Sequence, residues 1–259
     1  MSRARWAARE LGPPLVGIVG AILVWAAVAT TTSTSAIPSP AAVWSAFLDG
    51  MRDGSIPDAA IKTLIRLAFS FVTAVIVGVA LGLGLALNEF ARRAIRPLVV
   101  ALQITPFVAW VPLAVIWFGA TERAVVFVAI VGAFPAMTLA TIQAIRQVPP
   151  LYQRAGRTLG AGGWALYRDV IFPAAMPGVM AGLQQAWGFA WKALMAGELI
   201  VAAAGAAGLG RLLDTEGGDV PALLAALAVI LVIGVAVDYL LFGQLDRRIR
   251  RRRGLLAEG

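Results

Sequence analysis

An all-α membrane protein with six transmembrane helices is the fold class this chain predicts, on three observations. Its 259 residues are 60% apolar and 14% charged, with a mean hydropathy of +0.83, against roughly 45–50% and about 25% in soluble domains. Six stretches approach the about 20 apolar residues that a hydrocarbon core demands. The basic residues alternate between loops in a way that assigns each loop a side.

The first stretch, Pro13–Thr32, follows Arg3, Arg5 and Arg9. Its flanks resemble those of a signal peptide, with small residues at Thr34-Ser35-Ala36. The apolar run exceeds the roughly 7–15 residues of a signal core, so an uncleaved helix is expected. The segment Ser33–Thr63 then holds Ile37-Pro38-Ser39-Pro40, an N-cap serine followed by proline at the first helical position. Val43, Phe47 and Met51 recur at helical spacing, which predicts a short external helix that either packs over the bundle or docks a partner.

The second stretch, Leu64–Leu87, carries Gly78, Gly82 and Gly84, read as close-packing positions. The third, Pro97–Phe118, holds Pro106 and Pro112, each of which removes a backbone hydrogen bond and kinks the helix. Kinked helices often line pathways, so Pro106 and neighbouring Trp110 are candidates for a translocation route. The fourth is Ala124–Ile142. The fifth, Met176–Ala203, contains Lys192 and Glu198, about 120° apart around the helix and roughly 9 Å along it. They cannot pair with each other, so each needs a partner on another helix or an aqueous cavity. Structural pairing and pathway lining stay open for Glu198, while a lone Lys192 on a pathway would favour anions. Asp238 lies near the cytoplasmic end of the sixth stretch, Pro221–Phe242.

Sixteen basic residues fall at the N-terminus (Arg3, Arg5, Arg9), the second loop (Arg92, Arg93, Arg96), the fourth loop (Arg146, Arg154, Arg157, Arg168) and the tail (Arg247, Arg248, Arg250 to Arg253). The odd-numbered loops hold only Arg52, Lys62, Arg66, Arg123 and Arg211, beside seven acids. Both termini are therefore expected in the cytoplasm. Three regions result: 1–62, with the first helix and the external amphipathic segment; 63–245, a five-helix core with a cytoplasmic loop at about 146–175; and 246–259, a basic tail. The tail reads as a topology signal and an anchor to anionic lipid, with no nucleic-acid partner.

Histidine and cysteine are both missing. The usual zinc sites, thiol nucleophiles and the commonest general base are thereby excluded. Neither Lys62 nor Lys192 stands in a glycine-rich phosphate-binding loop, so the chain has no nucleotide site of that kind and any ATP-driven work is powered in trans. No catalytic, metal or cofactor residues are assigned.

The long polar interruption between Leu151 and Gly182 remains. Leu151, Ala155 and Leu159 share one helical face, with Arg154, Arg157 and Thr158 around it. Gly160, Gly162 and Gly163 break that helix. A second piece carries Trp164, Tyr167 and Ile171 and is expected to stop at Pro173. Such a hairpin presents aromatics and arginines to a partner, or lies flat on the anionic leaflet.

This loop resembles the EAA motif of binding-protein-dependent ABC importer permeases, written E-A-A, three residues, G, nine residues, I-x-L-P. Arg154-Ala155-Gly156 stand at E-A-A, Gly160 at the glycine, and Val170, Phe172 and Pro173 at I, L and P. Arginine replaces the leading glutamate, a charge reversal. Ile37-Pro38-Ser39-Pro40, Thr63-Leu64-Ile65-Arg66, Pro112-Leu113, Trp117-Phe118-Gly119, Ala190-Trp191, Gly197-Glu198-Leu199-Ile200 and Gly208-Leu209-Gly210 are similar to the nitrate/sulfonate/taurine branch. The resemblance implies a type I importer fold and a non-catalytic permease in the bacterial inner membrane. It implies a second permease copy, an ATP-binding ABC subunit that uses the ATP, and an extracytoplasmic substrate-binding protein. It also implies an ATPase-coupling role for Arg154, Ala155, Gly156, Arg157, Leu159, Gly160, Trp164, Tyr167 and Pro173, and a small-anion substrate such as a sulfonate, nitrate or taurine. The alternatives are an autonomous secondary transporter or channel, which needs no ATPase, and a membrane-embedded enzyme, which the missing histidines and clustered carboxylates disfavour.

Overall fold

The computed structural model describes residues 3–31, 37–201, 207–214 and 218–244, and every regular element among them is helical. The basic tail and the Thr34–Ala36 segment lie outside the described residues. The helices are α1 (Arg3–Thr31), α2 (Pro40–Arg52), α3 (Ser55–Leu87), α4 (Glu89–Ile104), α5 (Trp110–Phe118), α6 (Glu122–Arg146), α7 (Pro150–Thr158), α8 (Gly163–Leu166), α9 (Phe172–Val201) and α10 (Val220–Val237).

α6 is the central helix, clasped by α3 and α9. Small residues let the backbones close. A Cβ at Gly78 would lie 2.6 Å from Met137 Cβ, and one at Gly82 would lie 2.7 Å from Thr138 O. At Gly84 a Cβ meets nothing within 4 Å, so the sequence expectation of close packing holds for two of the three glycines. The core buries Leu67 and Ala74 of α3, Val125, Val128, Ala129 and Ala133 of α6, and Ala190, Ala193 and Leu194 of α9. In lipid this association rests on packing contacts rather than on expulsion of water.

Among the described residues three helical runs, Ser55–Leu87, Glu122–Arg146 and Val220–Leu240, are long and apolar enough to cross a membrane. The expected third span is not one kinked helix. α4 ends at Ile104, Thr105 and Pro106 break the chain, and a single tight turn over Phe107–Ala109 leads into α5, with a bend of 93°. Pro106 has no N–H to continue α4, and its carbonyl accepts from Ala109 N at 2.9 Å to start the next turn. Pro112 sits in the first turn of α5, where proline is tolerated, and causes no break. The expected fifth span corresponds to α9, 30 residues long but diluted by Gln184, Gln185, Lys192 and Glu198. The apolar part of α1 is Val16–Thr30.

The segment expected to be external forms the helix read from its capping signals. Ser39 Oγ accepts from Ala42 N at 3.3 Å, Pro40 opens α2, and Val43 is buried. α2 packs chiefly on α10. Its last turn hands over to α3 through Asp53, whose carboxylate accepts from Ser55 N at 2.8 Å, which holds that carboxyl below its usual range.

Candidate functional site

The polar loop begins where Pro149 and Pro150 end the run of α6. α7 closes with paired bonds around a left-handed glycine. Ala161 N donates to Gly156 O at 2.9 Å, Gly160 N donates to Arg157 O at 3.0 Å, and Gly160 has φ +90°. This six-to-one and five-to-two pair satisfies carbonyls that a helix end would otherwise leave free. Gly156 itself is buried: a Cβ there would lie 2.8 Å from Leu166 Cδ1 and 3.0 Å from Val170 Cγ2. Glycine at the third motif position thus lets α7 lie against the following segment.

That following segment does not stop at Pro173. α8 passes through one wide turn, Tyr167–Ile171, directly into α9. Phe172 N donates to Tyr167 O, five residues back. The wide turn falls next to the residue that lacks an N–H, a common way for a helix to accommodate proline. Leu166 and Ile171 are buried with Ala144, Ile145, Val148 and Ala175, and Leu83 and Ala86 of α3 pack against them. Each of the two larger side chains contributes about 1.5–3 kcal/mol of burial. The inner face of the hairpin is therefore fixed to α3, α6 and α9.

Its outer face is bare. Leu151 is 71% exposed, Leu159 87% and Trp164 60%. Ala155, Arg154 and Arg157 are also on the surface, and neither arginine side chain makes an ion pair among the described residues. Tyr167 is half-buried, its ring 6.3 Å from Phe172.

At the opposite ends of α6 and α9 lies a second constellation. Glu198 is fully buried. Its carboxylate accepts from Arg66 Nη1 at 2.7 Å, from Thr63 Oγ1 at 2.9 Å and from Gly210 N at 3.0 Å. Thr63 Oγ1 in turn accepts from Leu209 N at 2.8 Å. The other arm of Arg66, Nη2, reaches Glu122 Oε1 at 2.7 Å on α6. A Cβ at Gly208 would overlap the Glu198 carboxylate. Thr63–Arg66, remote in sequence, thus joins the neighbouring segments Gly197–Ile200 and Gly208–Gly210 in one cluster. Sequence reasoning placed Arg66 in a loop and missed it as the partner of Glu198. The available signal was a basic and an acidic residue, each at the end of an apolar stretch on the same expected side.

Lys192 is exposed and has no hydrogen bond or ion pair among the described residues. Asp238 accepts from Gln184 Nε2 at 3.0 Å, joining α9 to the wide turn that ends the α10 run. Trp110, just after the break at Pro106, packs against the core with its Nε1 enclosed and without a hydrogen-bond partner among the described residues. Glu198 sits in the ion-pair cluster rather than near either Lys192 or a described cavity.

Residues 74–251 match the family model described as binding-protein-dependent transport system inner membrane component. The taurine transport system permease protein TauC of Escherichia coli K12 is 28% identical over 244 residues, covering 90% of this chain and 88% of that one. The bicarbonate transport system permease protein CmpB of Synechococcus elongatus is 29% identical over 208 residues, covering 76% and 74%. A putative ABC transporter permease of Methanocaldococcus jannaschii is 31% identical over 189 residues, covering 71% and 69%. Among solved structures, an inward-facing form of the MetNI methionine ABC transporter superposes with a TM-score of 0.64 at 18% identity, over 76% of this chain and 97% of that one. With the match spanning the hairpin and the helices on either side of it, the chain belongs to the binding-protein-dependent inner-membrane permeases of ABC importers, in the branch that holds the taurine, nitrate and bicarbonate permeases.

Proposed function

We propose that this chain is one of two identical permease subunits of an importer for a small oxyanion, with six spans, both termini cytoplasmic and the region 63–245 as its core. The hairpin at Pro150–Ile171 docks a separate ATP-binding subunit, and a substrate-binding protein delivers cargo at the opposite face. The observation that carries this reading is the two-sidedness of the hairpin: a seat fixed by Leu166 and Ile171, and an outer face of Leu151, Leu159 and Trp164 left bare. Exposed aromatic and aliphatic side chains on a rigid element make an interface anchor. Arg154 stands on that face where the family motif has glutamate, so its docking partner would be an acidic side chain of the ATPase.

An anionic cargo is supported by Lys192, a cation on a predicted span without a partner among the described residues, and not by Trp110, whose Nε1 next to the 93° break is enclosed. Pro106 opens that break. Glu198 contributes by holding α3 and α9 together rather than by touching cargo. ATP-driven closure of the ATPase pair would move α6 and α9 as levers between inward- and outward-facing arrangements.

The test is co-reconstitution in proteoliposomes with the ATP-binding subunit and the binding protein, following ATP-dependent uptake of taurine, nitrate and bicarbonate separately. Uptake of one of them that requires ATP and fails for Gly156→Val is expected. Movement of substrate by this chain alone, down an ion gradient, would establish the autonomous transporter instead.

A further inference from the structure

Between α4 and the last turns of α6 lies a cavity of about 320 Å³ lined by Arg92, Arg96, Ile142, Gln143, Arg146 and Gln147. Three guanidiniums and two carboxamides converge on it. Among the described residues its surroundings hold one carboxylate, Glu89, which pairs with Arg92, accepts from Arg93 Nε at 2.8 Å and lies 3.6 Å from Arg146 Nη1. One negative charge is thus shared among three arginines. Arg96 and the side chains of Gln143 and Gln147 have no partner among the described residues.

Gathering arginines around a cavity costs mutual repulsion unless an anion relieves it. Guanidinium forks present paired N–H groups that match the oxygens of a phosphate, and a carboxamide adds a further donor. The setting also fits. Arg92 and Arg96 lie on the α4 face toward α6, while Phe90 and Leu98 on the opposite side are 83% and 64% exposed. A basic pocket beside an exposed apolar face, at the cytoplasmic ends of helices, is where anionic lipid headgroups bind.

We propose that the Arg92–Arg96–Arg146 cavity binds a phosphate group at the inner membrane surface, supplied by an anionic lipid headgroup or by free phosphate. The proposal rests on the cytoplasmic placement given above. Its occupant would tie α4 to the end of α6, four residues before the hairpin begins at Pro150.

The full-length chain, released from nanodiscs of mixed phosphatidylethanolamine and phosphatidylglycerol, is examined by native mass spectrometry for retained lipid. Phosphatidylglycerol should be retained selectively, and the double variant Arg96→Ala/Arg146→Ala should weaken retention about twenty-five-fold, at roughly five-fold per arginine. Gln143→Glu, at an exposed position, should weaken it without threatening the fold. Arg93→Ala removes the same charge next to the cavity, at a side chain 79% exposed and outside its lining, and should weaken retention less than the loss of either cavity arginine. In a parallel arm, inorganic phosphate is titrated while thermal unfolding is followed. Phosphate that displaces the lipid or raises the Tm of the wild type, but not of the double variant, assigns the site to the free ion. Equal retention by wild type and double variant, or an equal loss for Arg93→Ala, overturns the proposal, as does binding of neither lipid nor phosphate. A chain that binds no phosphate yet supports ATP-dependent uptake overturns this site alone. A chain that retains the lipid but transports without an ATPase overturns the importer reading alone.

Discussion

At Glu198 the stability of the fold depends on one carboxylate with three kinds of donor around it. Removing it leaves the Arg66 guanidinium, 6% exposed, without its buried counter-ion. Stranding a buried charge in this way costs about 3–5 kcal/mol. Glu198→Ala is therefore expected to unfold at a much lower temperature in detergent. Glu122→Gln should shift the melt by about 1 kcal/mol or less, because that partner is 68% exposed. Similar losses for both would mean that burial is not what sets the value of the pair. An apolar double replacement, Arg66→Met/Glu198→Leu, does not escape the penalty here, since the Gly210 N–H and the Thr63 hydroxyl lose their acceptor. Arg66→Met/Glu198→Gln should recover most of the loss, because the carbonyl oxygen of the introduced carboxamide still accepts from both. The need for a partner was legible in the sequence, since a charge within an apolar stretch must be paired. Which partner it has was not, because Arg66 and Glu198 are brought together by the crossing of α3 and α9.

At the scale of elements, the hairpin separates two demands on glycine. Gly160 has open space around it but φ +90°, so its requirement is conformational. Gly160→Asn should be tolerated, whereas Gly160→Val should cost about 1–2 kcal/mol and loosen the turn. Gly156 is the reverse, with ordinary backbone and no room. Gly156→Val should push α7 off Leu166 and Val170, abolish coupled uptake and leave membrane insertion intact, as read by uptake beside a fractionation blot. The same distinction runs along α3: Gly78→Leu and Gly82→Leu should prevent a stable fold, while Gly84→Leu should melt like the wild type. The motif spacing made the turn at Gly160 readable in advance. The continuation through Tyr167–Ile171 into α9 was hidden because Pro173 reads as a stop, and only a wide turn reconciles it with a continuous helix. The right angle at Pro106 was likewise underestimated as a kink. Proline marks where a hydrogen bond is lost, while the packing of α5 on α6 and α9 decides how far the chain turns there.

Across the whole molecule, α6 is a strut of 25 residues, about 37 Å at the helical rise, between the Arg66–Glu122 contact and the base of the hairpin. α9 runs beside it in the opposite direction, from the hairpin to Glu198. Any force on the hairpin therefore reaches the ion-pair end through two helices that pack along their length. That arrangement makes an orientation test decisive, because the proposed six-span topology puts the two ends on opposite sides of the membrane. The chain contains no cysteine, so single substitutions give unique thiols without a background to remove. Leu159→Cys at the hairpin tip and Met51→Cys at the end of α2 replace side chains 87% and 45% exposed. A membrane-impermeant thiol reagent should label Met51→Cys in right-side-out vesicles and Leu159→Cys only in inverted ones. Adding the ATP-binding subunit to inverted vesicles should then protect Leu159→Cys and leave the labelling of Met51→Cys unchanged. Both thiols reacting from one side would sink the six-span topology and its positive-inside orientation together. Correct sidedness without protection would keep the topology and remove the hairpin as the ATPase dock, leaving its bare face of Leu151, Leu159 and Trp164 to the lipid surface.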